Sequence, residues 1–460
     1  MNKSRKRNRL LLINPWIYDF TAYDFWSKPL GMLYIAAILR KKGFDIDFID
    51  CMDRLDASLF KKTDNISAKK NKDGSGSFHK EKVTKPESLK HIPRNYCRYG
   101  IGEAVFEEKI QQFPKPDVVL ITSIMTYWYP GVFRVIALIK KYYPDCPVIL
   151  GGIYATLCTD HAANFSGADY ILKNSQLNQL IPLLQGLTGN FNNLNDLKNN
   201  DFHNLNCSPY PAWDLYNALD YICLITSRGC TFRCTYCASH ILNSKLEFRN
   251  PEQVAEEIAY WKELKGIDKF VFYDDALLVN SENHIIPLLN EIKKKNLNIN
   301  FYTPNALHVR YITQPVAKLM LECGFEKIWL GFETADSELQ RKTGNKVNNV
   351  SFTNAVKILL KEGFSPEKIR AYLLIGLPDE SLQSVIESIR VVMDNGIKPY
   401  LAKYSPIPGT KMWKEIVRAY KWQEPVDPLW HNDALMPYCS PYINVEQYQK
   451  IKMIIQNFKL

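Results

Sequence analysis

The sequence predicts an α/β protein, a doubly wound parallel sheet followed by a partial (βα)6 barrel. Three observations carry this expectation. Short apolar runs bounded by turn residues alternate with helical spacings along most of the chain, as repeated βα units require. A polar, Asn-rich stretch at residues 186–207 interrupts the alternation once and divides it in two. The 460 residues also exceed what one ordinary core accommodates.

The first half begins with RLLLIN (9–14), an apolar run suited to a strand buried on both faces. Residues 31–42 have helical spacing and stop at Gly43, a C-terminal cap. Strands follow at 44–51, 118–123, 147–152 and 168–172, with a helix at 131–143. In the second half, strands are expected to begin near Tyr221, Lys269, Asn298, Lys327, Lys368 and Lys398. Helices fit 251–264, 351–362 and 381–395. The first of these has Asn250 as N-cap and Pro251 at the first helical position, with Val254, Ile258 and Trp261 on one face. The expected organisation is a first α/β domain at 1–185, a linker at 186–215, a barrel at 216–425 and a tail at 426–460 carrying Trp430, His431 and Cys439. Ligands in such folds bind at the carboxyl ends of the strands.

Composition narrows the function classes. Hydrophobic residues make up 46% and charged residues 23%, as in soluble globular proteins. No apolar run is long enough to span a bilayer, and the basic then apolar N-terminus meets Pro15 without a small-residue cleavage site. A cytoplasmic protein without a membrane partner is expected. Much of the +10 net charge lies in a Lys-rich insertion at about 55–95. It reads as a solvated, mobile segment; without interleaved aromatics, nucleic acid is not an expected partner.

The chain has 11 cysteines, of which Cys230, Cys234 and Cys237 cluster and the others are scattered in mostly apolar surroundings. ITSRGCTFRCTYCASH (225–240) follows directly on a strand, so its C-x3-C-x2-C spacing falls in a loop at a carboxyl end. One loop can wrap three corners of an iron–sulfur cubane, for which thiolates are suitable ligands, and leave the fourth iron open. Zinc on the three cysteines and His240 is the rival, although structural zinc sites more often use two separated pairs. Three unligated buried thiols are a further alternative. No second clustered set is present for an auxiliary cluster.

The C-x3-C-x-aromatic-C loop after the first barrel strand resembles the radical S-adenosylmethionine superfamily. The resemblance implies that Cys230, Cys234 and Cys237 hold a 4Fe-4S cluster whose open iron chelates S-adenosylmethionine, that the cofactor is reductively cleaved, and that Tyr236 lies against its adenine. Later segments resemble the same barrel in order. VFYDDALLVN places Asp274 and Asp275 after the second strand, where the family often receives the cofactor's amino group with Gly-Gly-Glu; a turn aspartate is the alternative. FYTPNALHVR places Asn305, His308 and Arg310 after the third, with Arg310 suited to a carboxylate or to a structural ion pair. KIWLGFETAD ends the fourth at Gly331, Phe332 and Glu333, resembling a G-x-E segment near the cofactor. LLIGLPDES, around Gly376 and Pro378, resembles the fifth-strand segment bordering adenine, and YSPIPGT (404–410) the sixth-strand end.

A Rossmann-like sheet ahead of such a barrel is similar to the subgroup with an N-terminal cobalamin-binding domain. The pieces are LLLINP, KPLGMLYIAAILRKKGFDIDFIDC, PDVVLITSIMTYW and VILGGIYAT. By that resemblance, Gly151 and Gly152 allow close approach of cobalamin, and Ser123 and Thr126 hydrogen-bond its nucleotide tail; a tight turn is the alternative for the glycine pair. The D-x-H-x-x-G motif that ligates cobalt in other cobalamin proteins is absent after the first strand. Trp16, Tyr18, Tyr23 and Trp26 occupy that loop, either beside cobalamin or as core aromatics, and His161 follows the fourth strand. The implied activity is methyl transfer with cobalamin as relay, served by an electron donor such as flavodoxin or ferredoxin. Cyclisation or rearrangement with a scaffold-only first domain, a non-catalytic cobalamin or cluster sensor, and a zinc-loop RNA-modifying factor are the alternatives.

Overall fold

The computed structural model describes residues 7–60, 70–189, 202 and 204–458. The chain divides into two compact units, 1–219 with 427–429, and 220–426 with 430–460.

The first unit is built on five parallel strands, β1 (Arg9–Asn14), β2 (Asp45–Asp50), β3 (Val118–Ile121), β4 (Val148–Leu150) and β5 (Tyr170–Ile171), in the order β5-β4-β3-β1-β2. Alternation along β1 explains why both faces must be covered. Leu10 and Leu12 pack with Met32, Ala36 and Leu39 of the helix Leu30–Lys41 and with Leu180 and Leu184 of Leu180–Thr188. Leu11 and Ile13 face the opposite way, onto Phe106 and Ile110 of Glu103–Gln112 and Val132, Val135 and Ile139 of Tyr129–Tyr142. Successive side chains of a strand point to opposite faces, so an unbroken apolar run needs helices on both. The chain moves left and right of β1, which puts the topological switch point between β1 and β3.

The Lys-rich insertion corrects the expectation of a solvated segment. Residues 61–69 lie outside the described residues, but the rest is folded. Ile17–Asp19, Cys97–Tyr99 and Lys80–Lys82 form a three-stranded antiparallel sheet. Leu89 and Ile92 are fully buried. Arg54 Nε donates to Asp24 at 2.6 Å, and its Nη2 donates to the Gly74 carbonyl at 2.5 Å. Among the described residues, Lys70, Lys72, Lys80, Lys82 and Lys90 lie on the outside of a small packed layer, and the number of lysines in the sequence obscures the apolar residues between them. Residues 190–201 and 203 of the expected linker lie outside the described residues; the helix Leu180–Thr188 extends into its start, and its end carries the turn Trp213–Leu215 with Trp213 buried.

The second unit is a parallel sheet of β6 (Ile222–Leu224), β7 (Lys269–Phe272), β8 (Asn300–Tyr302), β9 (Phe325–Glu333), β10 (Ile369–Ile375) and β11 (Lys398–Lys403), paired in sequence order. Among the described residues β6 and β11 end the sheet without pairing to each other, so the barrel is partial. Helices connect the strands, among them Pro251–Lys265, Asn349–Lys361 and Leu382–Asp394. Asn250 caps the first, its side-chain oxygen accepting from Gln253 N at 3.1 Å. The tail adds the helix Val445–Asn457 and places Met436 on the loop after β10. Among the described residues no helix is long and apolar enough to cross a membrane.

Candidate active site

The cysteine loop is an excursion from the carboxyl end of β6 with a closed base. Ser227–Arg228 pairs antiparallel with Glu247–Phe248. Gly229 has φ +89, and a Cβ there would lie 2.3 Å from the Lys245 carbonyl oxygen, so the base closes only around glycine. The loop is also held along its length. Thr235 N donates to the Thr343 carbonyl at 3.1 Å, and Met412 N donates to the Thr235 carbonyl at 3.0 Å. Gly344 has φ +118, and an added Cβ would sit 3.0 Å from Cys234 Cα.

The three sulfurs stand in a field of donors. The Phe232 N–H donates to Cys230 Sγ at 3.4 Å and the Ser239 N–H to Cys237 Sγ at 3.4 Å. Cys234 is buried and the other two are half-buried. Burial pushes the Cys234 thiol up to about 11 and the Cys230 thiol upward as well. A metal must therefore displace protons to bind, and its charge supplies the compensation. Among the described residues no three His, Cys, Asp or Glu side chains converge closely enough for one metal ion. The zinc arrangement with His240 is thus not preformed. Three thiolates with amide donors on two of the sulfurs match the ligand chemistry of an iron–sulfur cubane, whose corners are more widely spread. Buried polar atoms without a hydrogen-bond partner surround the same loop: Thr235 Oγ1 in it, His308 Nδ1 behind Phe232 and Tyr404 OH beside Tyr236. Such atoms call for a ligand or water.

The remaining candidates divide by what their side chains already do. Asp274 is turned inward. It accepts from Thr226 Oγ1 at 2.7 Å, from Ser227 Oγ at 2.6 Å, and from both backbone N–H groups, while Thr226 Oγ1 meets His284 Nε2 at 2.9 Å. These bonds fix the strand end before the cysteine loop and leave its carboxylate committed to the chain. Asp275 is half-buried; its Oδ1 accepts from Ser239 Oγ at 3.2 Å, and that hydroxyl lies 3.2 Å from Cys237 Sγ. Burial raises its carboxyl, with the Ser239 bond opposing. Asn305 Nδ2 donates to the carbonyl of Tyr273 at 3.0 Å and so braces the end of β7. Arg310 is exposed and donates to the Asn345 carbonyl at 2.6 Å, not to a carboxylate.

Glu333 ends β9 at a register shift, with φ +68. A non-glycine residue held there is strained, and strain of this kind collects at functional sites. Its Oε1 meets Lys346 Nζ at 2.5 Å, both side chains being nearly buried. Tyr236 packs with Leu377, Tyr404 and Met412, and burial raises its hydroxyl well above its ordinary value. Gly376 has φ +91, and its absent Cβ would lie 2.5 Å from Met436 Cγ, so the tail seats on it. His431 is buried, its ring edge-on to Trp413 at 5.1 Å. Lys346 is the residue that the motifs missed. A lysine after a Gly-Asn turn carries no spacing signal.

The first unit has its own small cleft at the switch point. Asn14, Trp16, Met52, Ser123, Met125 and Trp128 are among its lining residues, none of which is a histidine. Trp16 is otherwise a core residue whose Nε1 donates to the Ile101 carbonyl at 2.7 Å. Trp26 is fully buried and donates to the Asp73 carbonyl, while Tyr23 is exposed. Ser123 lines the cleft, its Oγ donating to the Gly151 carbonyl at 2.8 Å. Gly152 has φ +92, and a Cβ there would meet Ser123 O at 2.3 Å, so the close approach it permits is to the chain itself. Gly151 is looser, with Leu172 O at 3.6 Å, and Thr126 opens the buried turn Thr126–Trp128. His161 Nδ1 pairs with Tyr154 OH at 2.7 Å within an aromatic cluster.

Residues 224–392 match the Radical SAM superfamily model. The matched stretch begins at the last residue of β6 and runs through the cysteine loop into the helix after β10. The cytidylyl-2-hydroxyethylphosphonate methyltransferase of Streptomyces wedmorensis is 23% identical over 510 residues, covering 96% of this chain and 87% of that protein. The uncharacterized methyltransferase PH0819 of Pyrococcus horikoshii is 25% identical, covering 65% and 69%. The chain is similar in fold to the radical S-adenosylmethionine methyltransferase TsrM from Kitasatospora setae, solved with cobalamin and a 4Fe-4S cluster bound, at TM-score 0.67 and 13% identity, covering 99% of this chain and 89% of that one. OxsB, a cobalamin-dependent radical enzyme, gives TM-score 0.55 at 14% identity, covering 90% of this chain and 55% of that chain.

Proposed function

We propose that this chain is a radical S-adenosylmethionine enzyme, a cobalamin-dependent methyltransferase that reductively cleaves S-adenosylmethionine at a 4Fe-4S cluster on Cys230, Cys234 and Cys237. The observation that carries it is the three-sulfur loop, closed on Gly229 and supplied with amide donors, at the carboxyl end of the first barrel strand. The match to one methyltransferase over nearly the whole chain, and to a second over about two thirds of it, supports the reaction type. When bound, the cluster supplies the electron that splits the sulfonium, and cobalamin supplies the transferable methyl group.

The chain's own residues would bind and orient. Asp275, held through Ser239 beside Cys237, suits the cofactor's amino group. Glu333 suits its polar groups, and Tyr236, Gly376 and Tyr404 border the adenine. Arg310 acts from the outside, holding the Asn345 carbonyl. In the first unit, Ser123 and Thr126, with the backbone of Gly151 and Gly152, would meet the cobalamin tail. Among the described residues the switch-point cleft has no histidine in its lining, so a corrinoid there would have no imidazole ligand from it; Met125 and Trp128 are among its partly exposed apolar side chains. The protein works in the cytoplasm with a flavodoxin or ferredoxin as electron source.

The test is turnover of anaerobically purified protein with S-adenosylmethionine and a low-potential reductant. Formation of 5′-deoxyadenosine that disappears when any one of the three cysteines becomes alanine is the expected result. Iron and sulfide without bound cobalt after reconstitution with hydroxocobalamin would remove the cobalamin part. Absence of 5′-deoxyadenosine from cluster-loaded protein would remove the whole.

A further inference from the structure

The sequence motifs give Lys346 no role, yet it is a cation enclosed at the centre of the site. Its side chain is 12% exposed and that of its partner Glu333 is 11% exposed. The groups facing its ammonium come from several elements. Glu333 Oε1 approaches from the end of β9 at 2.5 Å. The bare Cα of Gly331 makes the room, since a Cβ there would lie 3.0 Å from Lys346 Nζ. Cys234 and Cys237 act on it electrostatically from the loop after β6, and it acts in turn on Cys230 and on His308. The turn that carries it is held twice: Arg310 grips the Asn345 carbonyl, and Gly344 rests on Cys234.

We propose that Lys346 is a positioning residue that sets the reduction potential of the cluster on the three cysteines through its buried positive charge, with Glu333 as the opposing negative charge. The inference rests on the cluster reading above. Reduction places one electron from an external low-potential donor on the cluster; no bond forms or breaks and no proton moves. The negative charge of cubane and thiolates therefore grows by one. A fixed cation nearby favours that change and a fixed anion resists it, and both act strongly where water is excluded. Burial opposes the charge on Lys346, but Glu333 and the sulfurs outweigh burial and raise its pKa, so the ammonium persists. His308 stays neutral, its pKa pushed down to about 3 by burial and by Lys346, and adds no competing charge.

The two partners should move the potential in opposite directions, which a loss of packing would not do. Full-length protein is reconstituted anaerobically without S-adenosylmethionine, and the reduced cluster is followed by EPR across a dye-mediated redox titration. Lys346→Met should lower the reduced-to-oxidised ratio at a fixed poise at least tenfold, a shift of about 59 mV for one electron. Glu333→Gln should raise it, and Lys346→Arg should stay near wild type. A midpoint unmoved in Lys346→Met, or moved the same way in both variants, overturns the inference. If Lys346→Met does not retain the cluster, Glu333→Gln alone decides, and an unmoved or lowered midpoint there also overturns it. Wild-type protein that binds no iron and sulfide would instead sink the cluster reading itself.

Discussion

The buried ion pair behind the cysteine loop offers a direct test of how the loop is anchored. Arg249 Nη2 lies 2.6 Å from Glu257 Oε2, with side chains 3% and 0% exposed. Arg249 precedes the helix Pro251–Lys265 and Glu257 lies within it. The same guanidinium donates to the Ile225 carbonyl at 3.1 Å, and Arg249 N donates to Thr226 O at 2.8 Å, so the pair pins the strand end that leads into the loop. At an effective dielectric of about 20, unit charges at this separation attract by roughly 6 kcal/mol. Removing both ions from water costs several kcal/mol each, so the pair as a whole contributes little net stability. Removing one partner is different, because it strands the other charge in the interior. Glu257→Leu and Arg249→Met should each cost about 3–5 kcal/mol, whereas the double variant should recover most of that loss. Urea unfolding with matched iron analysis measures it. The single variants should lower the midpoint and the iron content together, and the double variant should lie above both. A double variant that loses the sum of the two single losses would refute the reasoning.

Three further outcomes are expected. Burial pushes the Glu380 carboxyl up to about 8 despite the N–H groups of Gly376 and Leu377 that donate to it. The folded chain then holds a proton that the unfolded chain releases. This contribution is fully present below the unfolded value near pH 4.5 and is lost as pH rises through about 8. It should remove about 2 kcal/mol of stability between pH 6 and 8, a slope that Glu380→Gln flattens in chemical denaturation at the two pH values. Gly344→Ala, at φ +118 against Cys234 Cα, should cost about 1–3 kcal/mol of strain and reduce iron bound per chain, read by anaerobic metal analysis. Gly152→Ala, whose Cβ would lie 2.3 Å from Ser123 O, should weaken hydroxocobalamin binding in a spectrophotometric titration while leaving iron content unchanged.

Much of this architecture was legible because its signals are local. The run RLLLIN demands cover on both faces of β1, and the Cys230, Cys234, Cys237 spacing puts three thiols on one loop whatever surrounds it. What the sequence obscured depends on long-range partners. Asp274 and Asp275 are adjacent and chemically equal in the sequence, yet one caps the strand end at Thr226 and Ser227 and the other stays beside Ser239. Arg310 reads equally as a carboxylate fork or a structural ion pair, and it donates to a backbone carbonyl instead. Gly376 resembles a bordering segment for adenine, and only the fold brings Met436 onto it from 60 residues away. The insertion reads as solvated because its composition is polar, yet apolar residues scattered through it, among them Phe78, Leu89 and Ile92, are buried.

Metal content bears most directly on the central claim. Chain purified without oxygen and reconstituted with iron and sulfide should hold roughly four of each per chain. Replacing Cys230, Cys234 and Cys237 together by alanine should abolish both. One equivalent of zinc that iron cannot displace, or unchanged iron in the triple variant, would contradict the account.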